Sequence, residues 1–106
     1  MKKLQQKVEK FCEENGYKNI TEYVLLDLVS EVGEVSKEVL KITDYGKKPL
    51  EYSAGLKDEI GDSFYSLILV ANTLNINLEE ALDQALEKYK KRLQNGSVGS
   101  ESENVL

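Results

Sequence analysis

Two short acidic segments hold most of the chemistry available to this chain. Glu31-Val32-Gly33-Glu34 and Glu59-Ile60-Gly61-Asp62 share one order: acid, aliphatic, glycine, acid. On a helix, residues three apart lie about 60° apart around the axis, so each pair presents both carboxylates on one face. Val32 and Ile60 are then expected to point toward the core. If the two helices face one another, four carboxylates converge. Like charges so placed repel, and a bound cation relieves the repulsion. Oxygen donors without histidine or thiolate favour Mg²⁺, Mn²⁺ or Ca²⁺ over zinc. The chemistry this set supports is metal-assisted attack at a phosphate.

The acidic stripe continues along the first of these segments, because Asp27, Glu31, Glu34 and Glu38 follow the 4, 3, 4 spacing of one helix face. A wet helix face can look the same, since 31% of the chain is charged. The matched glycines argue for more. A mid-helix glycine costs about 1 kcal/mol relative to alanine, so Gly33 and Gly61 are expected to admit something packed closely against their turns. The sequence contains no histidine, which removes histidine-dependent zinc sites, Ser-His-Asp and Cys-His nucleophile systems, and the Glu-x-x-His pattern of di-iron bundles.

The elements that must carry these acids are helical almost throughout. The chain of 106 residues has room for one domain, and its sole proline, Pro49, sits between two long helical patterns. The expected fold is all-α, a bundle of four main helices. The first runs from about Lys3 to Glu14 with Leu4, Val8, Phe11 and Cys12 on one face, which makes Cys12 a core residue, and it stops at Asn15-Gly16. The second, capped by Asn19 or Thr21, reaches about Thr43 and buries Leu25, Leu28, Val29, Val32, Val35 and Val39. The third starts near Tyr52 or Leu56 and ends near Leu74, antiparallel to the second. The fourth opens at Asn77, with Glu80 three residues on, and ends near Asn95-Gly96. Residues 1–95 form the domain, and 96–106 read as a flexible Gly/Ser/Glu-rich tail. On the third helix, Tyr65 and Leu69 lie away from Phe64, Leu67, Ile68 and Ala71. That second apolar face calls for a homo-oligomer, dimer or tetramer, to complete the bundle.

Around Leu28-Val-Ser-Glu-Val-Gly-Glu34 and Asp58-Glu-Ile-Gly-Asp62, with 24 residues between Glu34 and Glu59, the sequence resembles the MazG-like all-α nucleoside triphosphate pyrophosphohydrolases. These include dCTP pyrophosphatase, dimeric dUTPase and phosphoribosyl-ATP pyrophosphohydrolase. The resemblance runs from about Thr21 to Arg92. It implies an Mg²⁺-dependent enzyme, with Mn²⁺ as a substitute, that splits a nucleoside triphosphate into monophosphate and pyrophosphate in nucleotide-pool house-cleaning. Glu31, Glu34, Glu59 and Asp62 would be the metal ligands, with Glu31 and Glu34 as the catalytic residues, and one of the four acids, or a metal, would orient the attacking water. Lys88 and Arg92 match a Lys-x-x-x-Arg that faces phosphates in relatives, and Glu38 joins them as a substrate-binding residue. Many relatives carry a further acid where Ser30 stands here.

Two other readings compete with this one. A phosphoribosyl-ATP pyrophosphohydrolase would share fold and acids but take a bulkier substrate. A non-catalytic acidic interaction or regulatory module would use the carboxylates without metal. The net charge of −5 disfavours nucleic acid and anionic membranes as partners. One cysteine and no long apolar run point to a cytoplasmic protein without a signal peptide or membrane span.

Overall fold

The computed structural model describes residues 2–96. These residues form four α-helices and no strands: α1 (Lys2–Glu14), α2 (Thr21–Ile42), α3 (Ala54–Thr73) and α4 (Leu78–Gln94). The order and lengths match the periodicity. Apart from Gly96, the expected tail lies outside the described residues.

Local signals set the helix ends. Gly16 takes φ 67° after α1, and the Tyr17 N–H donates back to the Cys12 carbonyl at 3.0 Å, closing the helix as a glycine stop does. The Ser53 side chain caps α3 by accepting from the Leu56 N–H, and Asn77 caps α4 by accepting from the Glu80 N–H. The start of α2 differs from expectation. Its cap position falls on Ile20, with no side-chain cap; Asn19 lies one residue ahead of it, with its amide donating to Cys12 Sγ at 3.4 Å.

An antiparallel hairpin of α2 and α3 forms the main interface, and α1 lies against α3. The register of the hairpin is visible at three levels: Glu38 meets Gly55, Glu31 meets Asp62, and Val24 shares a core cluster with Leu69. That core is small. Cys12, Val24 and Leu69 are buried together, with Val8, Tyr65 and Val70 packed on them. Phe11 closes the cluster edge-on to Tyr65, ring centroids 6.3 Å apart.

Helix α1 therefore covers the Tyr65 and Leu69 face, the one expected to be left for a second copy. The uncovered apolar face is a different one. Leu25, Val29 and Val32 on α2, and Ile60, Phe64 and Leu67 on α3, are all exposed. The physical reason is the choice of seam: Glu31, Glu34, Glu38 and Glu59 are half-buried along the α2/α3 contact, so positions about 100° further round turn outward. Val32 and Ile60 do not point into the core; they are 51% and 54% exposed.

Helix α4 stands apart and buries none of its residues. The radius of gyration is 16.9 Å, against roughly 12–13 Å for a compact chain of this length. The junction to α4 is nonetheless fixed by Gln5 of α1. Its amide donates to Asn72 Oδ1 at 3.0 Å and to the Ile76 carbonyl at 2.8 Å, and its oxygen accepts from the Leu78 N–H at 2.9 Å. Gln5 thus satisfies one of the orphan donors at the start of α4. Among the described residues no helix is long and apolar enough to cross a membrane.

Candidate metal centre and adjoining cleft

The hairpin brings three of the four motif acids together. One carboxylate oxygen each from Glu31, Glu59 and Asp62 lies within 4.8 Å of the others. Glu34 stands just outside this trio, and its carboxylate is 3.8 Å from Lys37 Nζ. Burial pushes the Glu59 carboxyl above the ordinary carboxylate range, and the negative charges of Asp62, Glu34, Asp58 and Glu31 push it further the same way. A site that disfavours its own ionised carboxylate favours a cation beside it.

The donor set fits a hard divalent ion. Oxygens bound to Mg²⁺ at about 2.0–2.1 Å lie at most roughly 4.2 Å apart, and those bound to Ca²⁺ at about 2.3–2.6 Å at most roughly 5.2 Å. The trio's oxygens lie within 4.8 Å of one another, so closing on Mg²⁺ takes a small inward movement of the carboxylate ends.

The motif glycines do not behave as their spacing leads one to expect. A Cβ added at Gly33 or Gly61 meets nothing within 4 Å, so no close approach inside the chain accounts for either. The tight position is Gly55, where an added Cβ would come within 2.6 Å of Glu38 Oε1. Glu38 also accepts from Ser53 Oγ at 3.4 Å, and so it binds the end of α2 to the start of α3 as well as lining the cleft described next.

That cleft, of about 460 Å³, runs from the acids to the α2/α3 loop and is lined by Glu34, Glu59, Glu38, Lys37, Lys41, Leu40, Asp44 and Tyr45. Asp44 and Tyr45 take φ of 48° and 58°, and Gly46 follows at 87°. Aspartate tolerates the left-handed region; a bulky tyrosine there is an outlier and costs on the order of 1–3 kcal/mol. The turn is held by the Gly46 N–H donating to Thr43 Oγ1 at 3.1 Å and the Lys48 N–H donating to the Thr43 carbonyl at 3.0 Å. Motif spacing gives no sign of Lys37, Lys41, Asp44 or Tyr45 as site residues. The one available signal is Asp-Tyr-Gly, an aromatic between two turn residues in the loop that returns the chain to the second acidic segment.

Lys88 and Arg92 lie elsewhere. Both are on α4, 5.1 and 5.6 Å from the Tyr89 ring centroid, and they line a groove along α4 that shares no described residue with the acidic cleft. Within one chain the fold does not bring them to the acids.

Comparison with known proteins agrees with this geometry. Residues 19–97 match the family model of the MazG nucleotide pyrophosphohydrolase domain. The chain is 40% identical over 68 residues to the uncharacterised protein YpjD of Bacillus subtilis, a match covering 61% of this chain and 60% of that protein. It therefore spans less than two thirds of the length of that curated relative. The crystal structure of Bacillus subtilis YpjD, described as a candidate pyrophosphatase, superposes with a TM-score of 0.72 at 32% identity, covering 87% of this chain and 94% of that one. A Bacillus-conserved MazG protein, described as a nucleotide pyrophosphohydrolase, superposes with a TM-score of 0.70 at 27% identity, covering 83% and 86%. With the matched region holding both acidic segments and the hairpin that joins them, the chain belongs to the MazG nucleotide pyrophosphohydrolase family, hydrolases that act on nucleotides.

Proposed function

We propose that this protein hydrolyses nucleoside triphosphates to the monophosphate and pyrophosphate with Mg²⁺, or Mn²⁺ in its place, as a nucleotide-pool house-cleaning enzyme. The observation that carries the reading is the convergence of Glu31, Glu59 and Asp62 beside a cleft of about 460 Å³, a volume within the roughly 300–1,000 Å³ of small-molecule sites. Glu31, Glu59 and Asp62 would hold the cation, with Glu34 completing the set. When bound, the cation neutralises phosphate charge and polarises water. Glu34, outside the trio and on the cleft wall, orients the attacking water by accepting its hydrogen bond.

The functional unit in this reading is a homodimer. Leu25, Val29, Val32, Ile60, Phe64 and Leu67 are each about half exposed, which amounts to roughly three whole side chains left in water, each worth about 1.5–3 kcal/mol when buried. A two-fold interface counts that patch twice. Lys88 and Arg92, remote from the acids of their own chain, serve as phosphate contacts from the second copy, a role supported by Leu82, Leu86 and Leu93 of α4 also being exposed.

The test is pyrophosphate release across canonical and modified nucleoside triphosphates, and phosphoribosyl-ATP, with and without Mg²⁺, for the parent and for Glu31→Gln and Asp62→Asn. Turnover should fall by orders of magnitude in both variants, and Mn²⁺ affinity, measured by calorimetry, should fall with it. The exposed Glu79→Gln is the control. Metal-independent turnover, or variants as active as the parent, would refute the assignment.

A further inference from the structure

The acidic cleft is divided in its chemistry. Toward the middle of the hairpin it is lined by Glu34 and Glu59, and Lys37 and Lys41, one turn apart on α2, form a cationic wall. Its described apolar lining is confined to Leu40 and Tyr45, at the loop end. Tyr45 is 76% exposed, on a backbone conformation that bulky residues avoid. Tyr45 is not among the core residues; its N–H donates to the Leu40 carbonyl at 2.8 Å in the stop that ends α2. The loop's hydrogen bonds hold the left-handed turn and so keep the ring at the cleft. Strain that holds an unpacked aromatic at the mouth of a charged cleft points to a ligand with one polyanionic end and one flat apolar end.

We propose that Tyr45 is the base-contacting residue of the nucleotide site, its ring stacking on the nucleobase while the phosphates lie toward Lys37, Lys41 and the acidic trio. This rests on the pyrophosphohydrolase reading for the chemistry at the phosphates, but the base contact is a property of binding and can be measured without turnover. Stacking tolerates any base because every base has a π-face. Tyr45 therefore contributes affinity for nucleosides as a class, with purines, the larger rings, gaining most.

The experiment uses Tyr45→Phe, which keeps the ring, and Tyr45→Asn, which removes it while suiting the left-handed backbone. Steady-state kinetics with the four ribonucleoside triphosphates, and calorimetric binding of their α,β-imido analogues, are compared with ribose 5-triphosphate, which lacks a base. For Tyr45→Asn, KM and Kd for nucleotides should rise about 5- to 150-fold, the range that loss of one stacked base produces. Its kcat and its KM for ribose 5-triphosphate should stay near the parent's, and Tyr45→Phe should behave as the parent. Unchanged nucleotide KM and Kd, or an equal rise for ribose 5-triphosphate, would overturn the proposal while leaving the hydrolase reading intact. A parent that binds the analogues, loses them in Tyr45→Asn and turns over none of the nucleotides would overturn the hydrolase reading and uphold Tyr45. A parent that binds none of them overturns both.

Discussion

The uncovered face of the hairpin allows the proposed homodimer to be tested at a single residue. Val29 is 66% exposed, so replacing it costs the isolated chain little, whereas a two-fold interface through this face contains it twice. Full burial of a valine is worth about 1.5–3 kcal/mol, so the uncovered two thirds amounts to roughly 1–2 kcal/mol per copy and 2–4 kcal/mol per dimer. Val29→Lys forfeits that and adds two ammonium groups that must be kept hydrated. The dimer dissociation constant should therefore rise by at least about 30- to 1,000-fold. Sedimentation equilibrium from nanomolar to high micromolar concentration measures it, with far-ultraviolet circular dichroism to confirm that helix content is kept. A parent already monomeric at micromolar concentration, or a Val29→Lys variant with the parent's dissociation constant, would show that this face is not the one a second copy covers.

Two further predictions concern the single chain. Gln5→Ala removes three hydrogen bonds at the α3/α4 junction and leaves the Leu78 N–H without its acceptor; stability should fall by about 1–3 kcal/mol, read as a lower urea midpoint, and an unchanged midpoint would mean that α4 is oriented by something else. Burial and the hydrogen bond with Cys12 raise the Tyr65 hydroxyl to about 12, above the ordinary 10.0. A folded-state pKa raised in this way contributes stability that is full below pH 10 and is lost as pH climbs through about 12. Tyr65→Phe should therefore flatten the alkaline limb of the stability curve, and parallel curves for parent and variant would contradict the burial of this hydroxyl.

How much of this was legible in the sequence follows the distance over which each feature is decided. Helix ends depend on a few neighbouring residues, and Gly16 and the Asn77 cap read correctly. The start of α2 did not, because its cap position falls on Ile20, one residue past Asn19, whose amide is turned to Cys12 Sγ. Which face of a helix meets which neighbour is decided by the whole chain. Helices α2 and α3 carry apolar residues on more than one face, and periodicity cannot say whether Tyr65 and Leu69 or Phe64 and Leu67 are the pair left uncovered; α1 settles it by packing on the former. The cleft was missed for the same reason. Tyr45 and Lys41 lie on or beside a loop whose only mark is local, and their nearness to Glu59 exists only once the hairpin has closed.

The acidic trio is in the same sense a property of register. Glu31 and Glu34 share a face whatever α2 packs against, and so do Glu59 and Asp62 on α3, but the two pairs converge only if the hairpin aligns them. Near the loop, the first turn of α3 lies against the Glu38 carboxylate at Gly55, with Ser53 Oγ bonded to the same oxygen. At the other end Val24 and Leu69 share the buried core with Cys12. Between these two anchors Glu31 falls beside Asp62, and Glu34 comes close enough to Glu59 to raise its carboxyl. Sliding α3 by one residue would rotate its facing positions by about 100° and shift them 1.5 Å along the axis. That would carry Asp62 away from Glu31. A seam lined with half-buried carboxylates gains less from burial than an apolar one would, and the same alignment that leaves Val29 and Phe64 in water places three acids around a single point.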